Sequence, residues 1–238
     1  VRDQKKEQTG RKSGLAQKNA FRNSSLKVDF TQKMTSEHGG FLPSELQALL
    51  RLKDPYHIQK FLYDLPYHHA NTSWSPRRVL REKTAHCLEG AIFAAAALRV
   101  NGYPPLILDF EAKRDTDHVL AVFQVDGFWG SIAKSNFTGL RYREPVYRTL
   151  RELAISYFDD YFNLLGERTL RKYSAQVNLK RFDHLNWMTT EKPIWFIAEY
   201  LTKIHHYPLV SEKQIRRLHR VDEHSLRAGL VAYSTKKE

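Results

Sequence analysis

Apolar positions recur with a period only after about residue 40. The preceding stretch, which begins "VRDQKKEQTGRKSGLAQKNAFRNSS", is rich in Lys, Gln and Ser and has no apolar spacing, which predicts a disordered basic arm over residues 1–40. In "LPSELQALLRL" the spacing becomes helical, with Leu46, Leu49 and Leu50 on one face and Ser44 as the N-cap. "DPYHIQKFLYDL" predicts a second helix opened by Asp54 and Pro55. After the loop "PYHHANTSWSPRRV" comes "CLEGAIFAAAALRV", apolar on nearly every side and therefore a buried helix. It stops at Asn101-Gly102, ahead of Pro104 and Pro105.

Three strands are predicted next. "PLILDF" and "HVLAVFQV" are continuous apolar runs, Asp126-Gly127 supplies a two-residue turn, and "FWGSIAKS" returns. Runs without polar alternation imply a sheet covered by helix. Beyond Pro145 the spacing is helical again in "YRTLRELAISYFDDYFNLL" and "PIWFIAEYLTKIHHY", whose aromatic stripes read as packing surface. The pattern predicts an α+β protein: a core over 41–143 with one helix against an antiparallel sheet, and a mostly helical extension over 144–238 packed on it.

Composition narrows the picture. The 238 residues are 42% hydrophobic and 12% aromatic, enough for a globular core. No apolar run reaches the ~20 residues of a membrane span, and the first segment lacks the hydrophobic centre of a secretory signal. A single cysteine forms no internal disulfide and suits a reducing compartment, so the expectation is a soluble, cytoplasmic protein. The formal charge of +12 predicts weak polyanion binding through a basic surface. The arginines are dispersed, however, and no nucleic-acid module accompanies them. H-E-x-x-H and C-x-x-C patterns are missing from the sequence, as is a phosphate-cradling glycine loop, so neither a metal nor another cofactor is expected.

The chemistry centres on Cys87, which opens the buried helix. Unpaired N–H groups and a positive partial charge at a helix N-terminus lower a thiol's pKa, which makes this sulfur a candidate nucleophile. A base must return from elsewhere in the chain. His86 adjoins the cysteine and cannot face it. His57, His68, His69, His205 and His206 lie in polar settings and read as surface residues. His118, at the mouth of an apolar strand just after the charged loop "EAKRDTD", is the candidate base.

The order of elements and two motifs resemble the transglutaminase-like (papain-related) superfamily of cysteine acyl-transferases and hydrolases. The family's nucleophile helix ends in R-x-x-G-[IVY]-P. "AHCLEGAIFAAAALRVNGYPPLIL" is similar in its cysteine, helix, Arg99, Gly102 and Pro104. "DHVLAVFQVDGFWG" is similar in His118 and Trp129. The resemblance covers roughly residues 56–145, with its core at 83–136. It implies a transglutaminase-like core, a thioester acyl-enzyme and a peptide or amide substrate, resolved by water or by an amine. The family's aspartate position is Ala133 here. A two-residue turn at 126–127 places Ser135 opposite His118, and a one-residue bulge places Asn136 there, so either is a candidate partner for the imidazole. Trp74 is a candidate oxyanion donor, and Trp129 and Lys134 are candidate substrate-binding residues. Two other readings remain: a catalytically silent binding module of the same fold, and a basic anion- or nucleic-acid-binding protein.

Overall fold

The computed structural model describes residues 39–233, so the basic arm, apart from its last two residues, lies outside the described residues. The described residues open with three helices that each carry proline at the N-terminus: α1 (Pro43–Leu50), α2 (Pro55–Asp64) and α3 (Pro76–Glu82). Proline suits this position because its missing N–H would have no helical acceptor there. Asp54 caps α2 by accepting from His57 N–H, as the sequence predicts. Ser44 does not cap α1, which begins at Pro43. Its N-cap is Leu42, whose N–H is met by the Glu45 carboxylate at 2.7 Å. Helix α3 begins inside the stretch read as loop, and Ser75-Pro76 is its start signal.

Helix α4 (Cys87–Val100) is the centre of the molecule. Every residue in it except Cys87 and Arg99 is buried, and the run Ala94–Ala97 lets neighbouring elements approach closely on several sides. Asn101 and Gly102, the latter at φ +90°, end the helix where expected. Then follow β1 (Leu106–Ala112), β2 (His118–Val125), β3 (Phe128–Ile132) and β4 (Arg143–Tyr147). The β2–β3 turn has positive φ at both Asp126 (51°) and Gly127 (83°), the requirement of a tight hairpin whose twist matches its strands. Its register, from Val125 opposite Phe128 to Ala121 opposite Ile132, is the one the two-residue turn predicts.

The segment beyond residue 144 is mixed, which corrects the expectation of a mostly helical extension. It holds α5 (Leu150–Ile155), a 3₁₀ helix (Leu179–Leu185), α6 (Trp195–Leu201), α7 (Glu212–Ile215) and α8 (Glu223–Gly229). It also holds β5 (Leu170–Ser174), β6 (Val177–Asn178) and β7 (His206–Pro208). These strands complete an open, antiparallel sheet of seven strands among the described residues, in the order β4-β3-β2-β1-β5-β7 with β6 also paired to β1. They are too short to carry an alternating pattern, and pairing with β1 and β5 rather than local propensity makes them strands. Among the described residues no helix is long and apolar enough to cross a membrane.

Both faces of the sheet are covered, which explains the continuous apolar runs of β1 and β2. Ile107, Val119, Ala121, Phe123 and Ile132 pack toward α4 and the N-terminal helices. The alternate residues Leu108, Phe110, Leu120 and Val122 pack on the other side against Leu153, Tyr157 and Tyr161. Gly90 of α4 lies against the chain just past β3, where an added Cβ would stand 2.5 Å from Lys134 Cβ. Gly90→Ala should therefore destabilise the fold by about 1–3 kcal/mol through overpacking. Intrinsic helix propensity alone would favour alanine by about 1 kcal/mol. A urea midpoint equal to or above wild type would show that Lys134 moves aside without cost.

Candidate active site

The first turn of α4 is built around a carboxylate. Glu89, fully buried, accepts from Thr72 Oγ1 (2.6 Å) and Trp74 N–H (3.0 Å), pairs with His68 Nδ1 (3.0 Å), and reaches back to His86 N–H (3.3 Å). A buried carboxylate is tolerated only with such compensation, so the loop 66–75 is tied to the turn that carries Cys87. Tyr67 pairs with Ala85 in an isolated parallel bridge, and His68 N–H donates to the Ala85 carbonyl at 3.1 Å. His86, the N-cap, turns its Nε2 to the Thr72 carbonyl at 2.8 Å and so serves the loop rather than the thiol.

Cys87 lies in the wall of a cleft of about 500 Å³ that also contains His118, Ser135 and Asn136. Tyr67, His69, Leu140 and Tyr161 also line it, as do the 114–117 loop and Phe162–Leu165. The thiol is half-buried and donates weakly to the Asp117 carbonyl at 4.0 Å. Burial pushes the Cys87 thiol up from its ordinary value. Backbone N–H groups of Val119 and Leu88 oppose the rise and the Asp109 carboxylate adds to it. The expectation of a lowered thiol pKa is thus reversed, because desolvation outweighs the helix N-terminus.

His118 is buried and opens β2, opposite Phe110. Strand alternation puts its ring on the Phe110 and Leu120 side of the sheet, where it meets Tyr161 edge-on at 6.3 Å. Cys87 and His118 therefore reach the cleft from opposite faces, around the end of β2. The ring's Nε2 donates to the Leu140 carbonyl at 3.2 Å, which fixes the tautomer and leaves Nδ1 as the basic nitrogen. Burial pulls His118 down to about 4, with the Leu140 carbonyl opposing.

Neither serine nor asparagine is the acceptor seen at Nε2. The β2–β3 pairing ends at Ala121 opposite Ile132, and just beyond it Gln59 of α2 bonds both backbone groups of Ala133, its Oε1 accepting from Ala133 N–H (2.9 Å) and its Nε2 donating to the Ala133 carbonyl (3.0 Å). The strand pairing that would align Ser135 with His118 is thus never made. Ser135 Oγ instead accepts from Phe137 N–H at 3.0 Å, and Asn136 stands beside it, buried in the cleft wall.

The three remaining candidates are not part of the cleft. Trp74 spends its N–H on Glu89 and stacks its ring on His68 and Arg78. Trp129 sits near the hairpin, paired with Gln124 and Tyr147. Lys134 Nζ is buried, donating to the last carbonyls of α2, Leu62 (2.8 Å) and Leu65, and burial lowers it to about 8. It caps a helix rather than meeting a substrate. Sequence reasoning missed Tyr67, His69 and Leu140. The first two sit in a polar loop with no local signal of their destination, and Leu140 acts through its backbone, which residue identity does not report.

Among the described residues no group of three or more His, Cys, Asp or Glu is arranged to hold a metal. No protein-family model matches the chain, and no curated protein is significantly similar to it.

The buried imidazole carries a pH signature. Because the folded value of about 4 lies below the ordinary 6.5, the folded state favours the neutral ring. This contribution is complete above pH 6.5 and is lost as pH falls from 6.5 toward 4. Wild type should lose roughly 3 kcal/mol over that interval relative to His118→Gln, compared by urea denaturation at pH 7 and pH 4. A stability difference that stays constant between the two pH values would mean that His118 is not buried neutral.

Proposed function

We propose that the chain is a cysteine-dependent amide-bond hydrolase or acyl transferase with a transglutaminase-like core, acting on a peptide or amide through a thioester. One observation carries the reading. The thiol at the first turn of the buried helix and an imidazole with its Nε2–H already satisfied line the same cleft. The resemblance around Cys87 and His118 supports it. The same reading favours a cytoplasmic location, where a lone thiol stays reduced.

In this mechanism thiol and imidazole are both neutral at rest, and charge separates only on attack. The Cys87 sulfur bonds to the substrate carbonyl carbon as its S–H proton passes to His118 Nδ1, and the C=O electron pair moves to oxygen. The Cys87 backbone N–H donates to that oxyanion. Collapse re-forms the carbonyl and expels the amine, which takes the proton from His118, leaving the thioester. Water or a second amine then attacks the thioester, again giving its proton to Nδ1, and the sulfur departs as thiol. The Leu140 carbonyl orients the ring, as a carboxylate does in other thiol enzymes, but adds no full charge to stabilise the imidazolium.

A second reading, a binding module that keeps the thiol without the chemistry, is favoured by the upward-shifted thiol and by the approach of the two groups from opposite faces. Acylation of Cys87 by p-nitrophenyl acetate separates the two. For the enzyme, His118→Ala should slow acylation by about 10²–10⁴-fold at pH 7 while His57→Ala, on the exposed side of α2, leaves it near wild type. The wild-type rate should also persist down to about pH 4, where His118 takes up its proton. A rate that follows thiolate alone, falling about tenfold per pH unit and indifferent to His118, selects the binding module.

A further inference from the structure

The proposed reaction needs a second donor for the oxyanion besides the Cys87 N–H, and Trp74, whose own N–H is held by Glu89 outside the cleft, does not supply it. A hydroxyl lines the same cleft. Tyr67 stands in its wall with Cys87, and the Tyr67 backbone is paired with Ala85, two residues ahead of the sulfur. In a tetrahedral adduct the oxyanion is bonded to the carbon that carries Sγ and accepts from the Cys87 N–H. A phenol held in that wall is the side-chain donor placed to meet this oxygen.

We propose that the Tyr67 hydroxyl is a catalytic residue, the second hydrogen-bond donor to the oxyanion formed at Cys87. The inference rests on the thiol–imidazole reading above.

Its placement is built into the backbone. The Tyr67–Ala85 bridge and the bond from His68 N–H to Ala85 fix the main chain two residues ahead of the nucleophile, and Thr84 Oγ1 ties Pro66 to the same strand-like stretch at 3.0 Å. The His69 ring meets the Tyr67 ring at 5.2 Å. Burial, aided by the neighbouring Cys87, holds the phenol's ionisation well above its ordinary range, so it remains a donor at neutral and mildly alkaline pH. An arriving carbonyl oxygen accepts from the Cys87 N–H, and the phenol donates to the same oxygen; no proton is transferred from Tyr67.

Two reagents isolate the role. p-Nitrophenyl acetate acylates Cys87 through an oxyanion, whereas iodoacetamide alkylates it by displacement at carbon without one. Tyr67→Phe should slow acylation by about 10²-fold or more while alkylation changes by less than about threefold. Acylation as fast as wild type, or faster, overturns the proposal and makes the phenol a shield. Acylation and alkylation falling together also overturns it, since that is the mark of a damaged cleft. Wild-type acylation that does not depend on His118 removes the thiol–imidazole reading itself. Acylation that depends on His118 but survives Tyr67→Phe removes only the role of the phenol.

Discussion

Glu89 is the buried charge on which the candidate site depends. A carboxylate in the first turn of a helix is favoured by the helix dipole, but this one has no contact with solvent, and its hydrogen bonds hold it there. By drawing Thr72, Trp74, His68 and the His86 backbone onto one side chain, it converts a polar surface loop into a wall of the cleft. The position of Tyr67 follows from that closure, and the position of Cys87 from the helix that the same carboxylate begins. Hydrophobic burial sets the fold around α4, and the polar keystone sets which groups stand next to the sulfur.

How much of this could be read from residues alone depended on whether the signal was local. Helix α4 and the β2–β3 hairpin were legible because the apolar run, Asn101-Gly102 and Asp126-Gly127 lie within the elements that they bound. β5, β6 and β7 were not, since "LRKYS", "VN" and "HYP" become strands only by pairing with a distant edge. The partner of His118 failed for a more specific reason. The register was right, but the pairing ends at Ile132, and past it the chain turns to a distant partner, Gln59 of α2, 74 residues away in sequence, before Ser135 is reached. Cys87 and His118 could be found as candidates because their residue types carry the chemistry. The Leu140 carbonyl could not, because every residue has one.

Titratable groups inside the molecule are arranged to avoid unpaired charge. His206, read from sequence as a surface histidine, bridges Asp109 Oδ2 and the Ile204 carbonyl, each at 3.0 Å, and so pins β7 to β1. Burial still pushes Asp109 up to about 6, with His206 opposing. This carboxylate also contributes to raising the Cys87 thiol, so a hydrogen-bonded contact that holds an edge strand in place acts on the sulfur of a helix on the same face of the sheet. With the thiol raised and the imidazole lowered, both groups in the cleft are held toward their neutral forms.

The hairpin at Asp126-Gly127 lies at the other end of β2 from His118, and β2 is eight residues long. At about 3.3 Å per residue the turn stands some ~25 Å from the imidazole. An Asp-Gly tip with exposed flanks tolerates added sequence better than the packed interior does. A fluorophore, an affinity handle or a small inserted domain joined there would report on the intact protein and leave the cleft, at the far end of the strand, free.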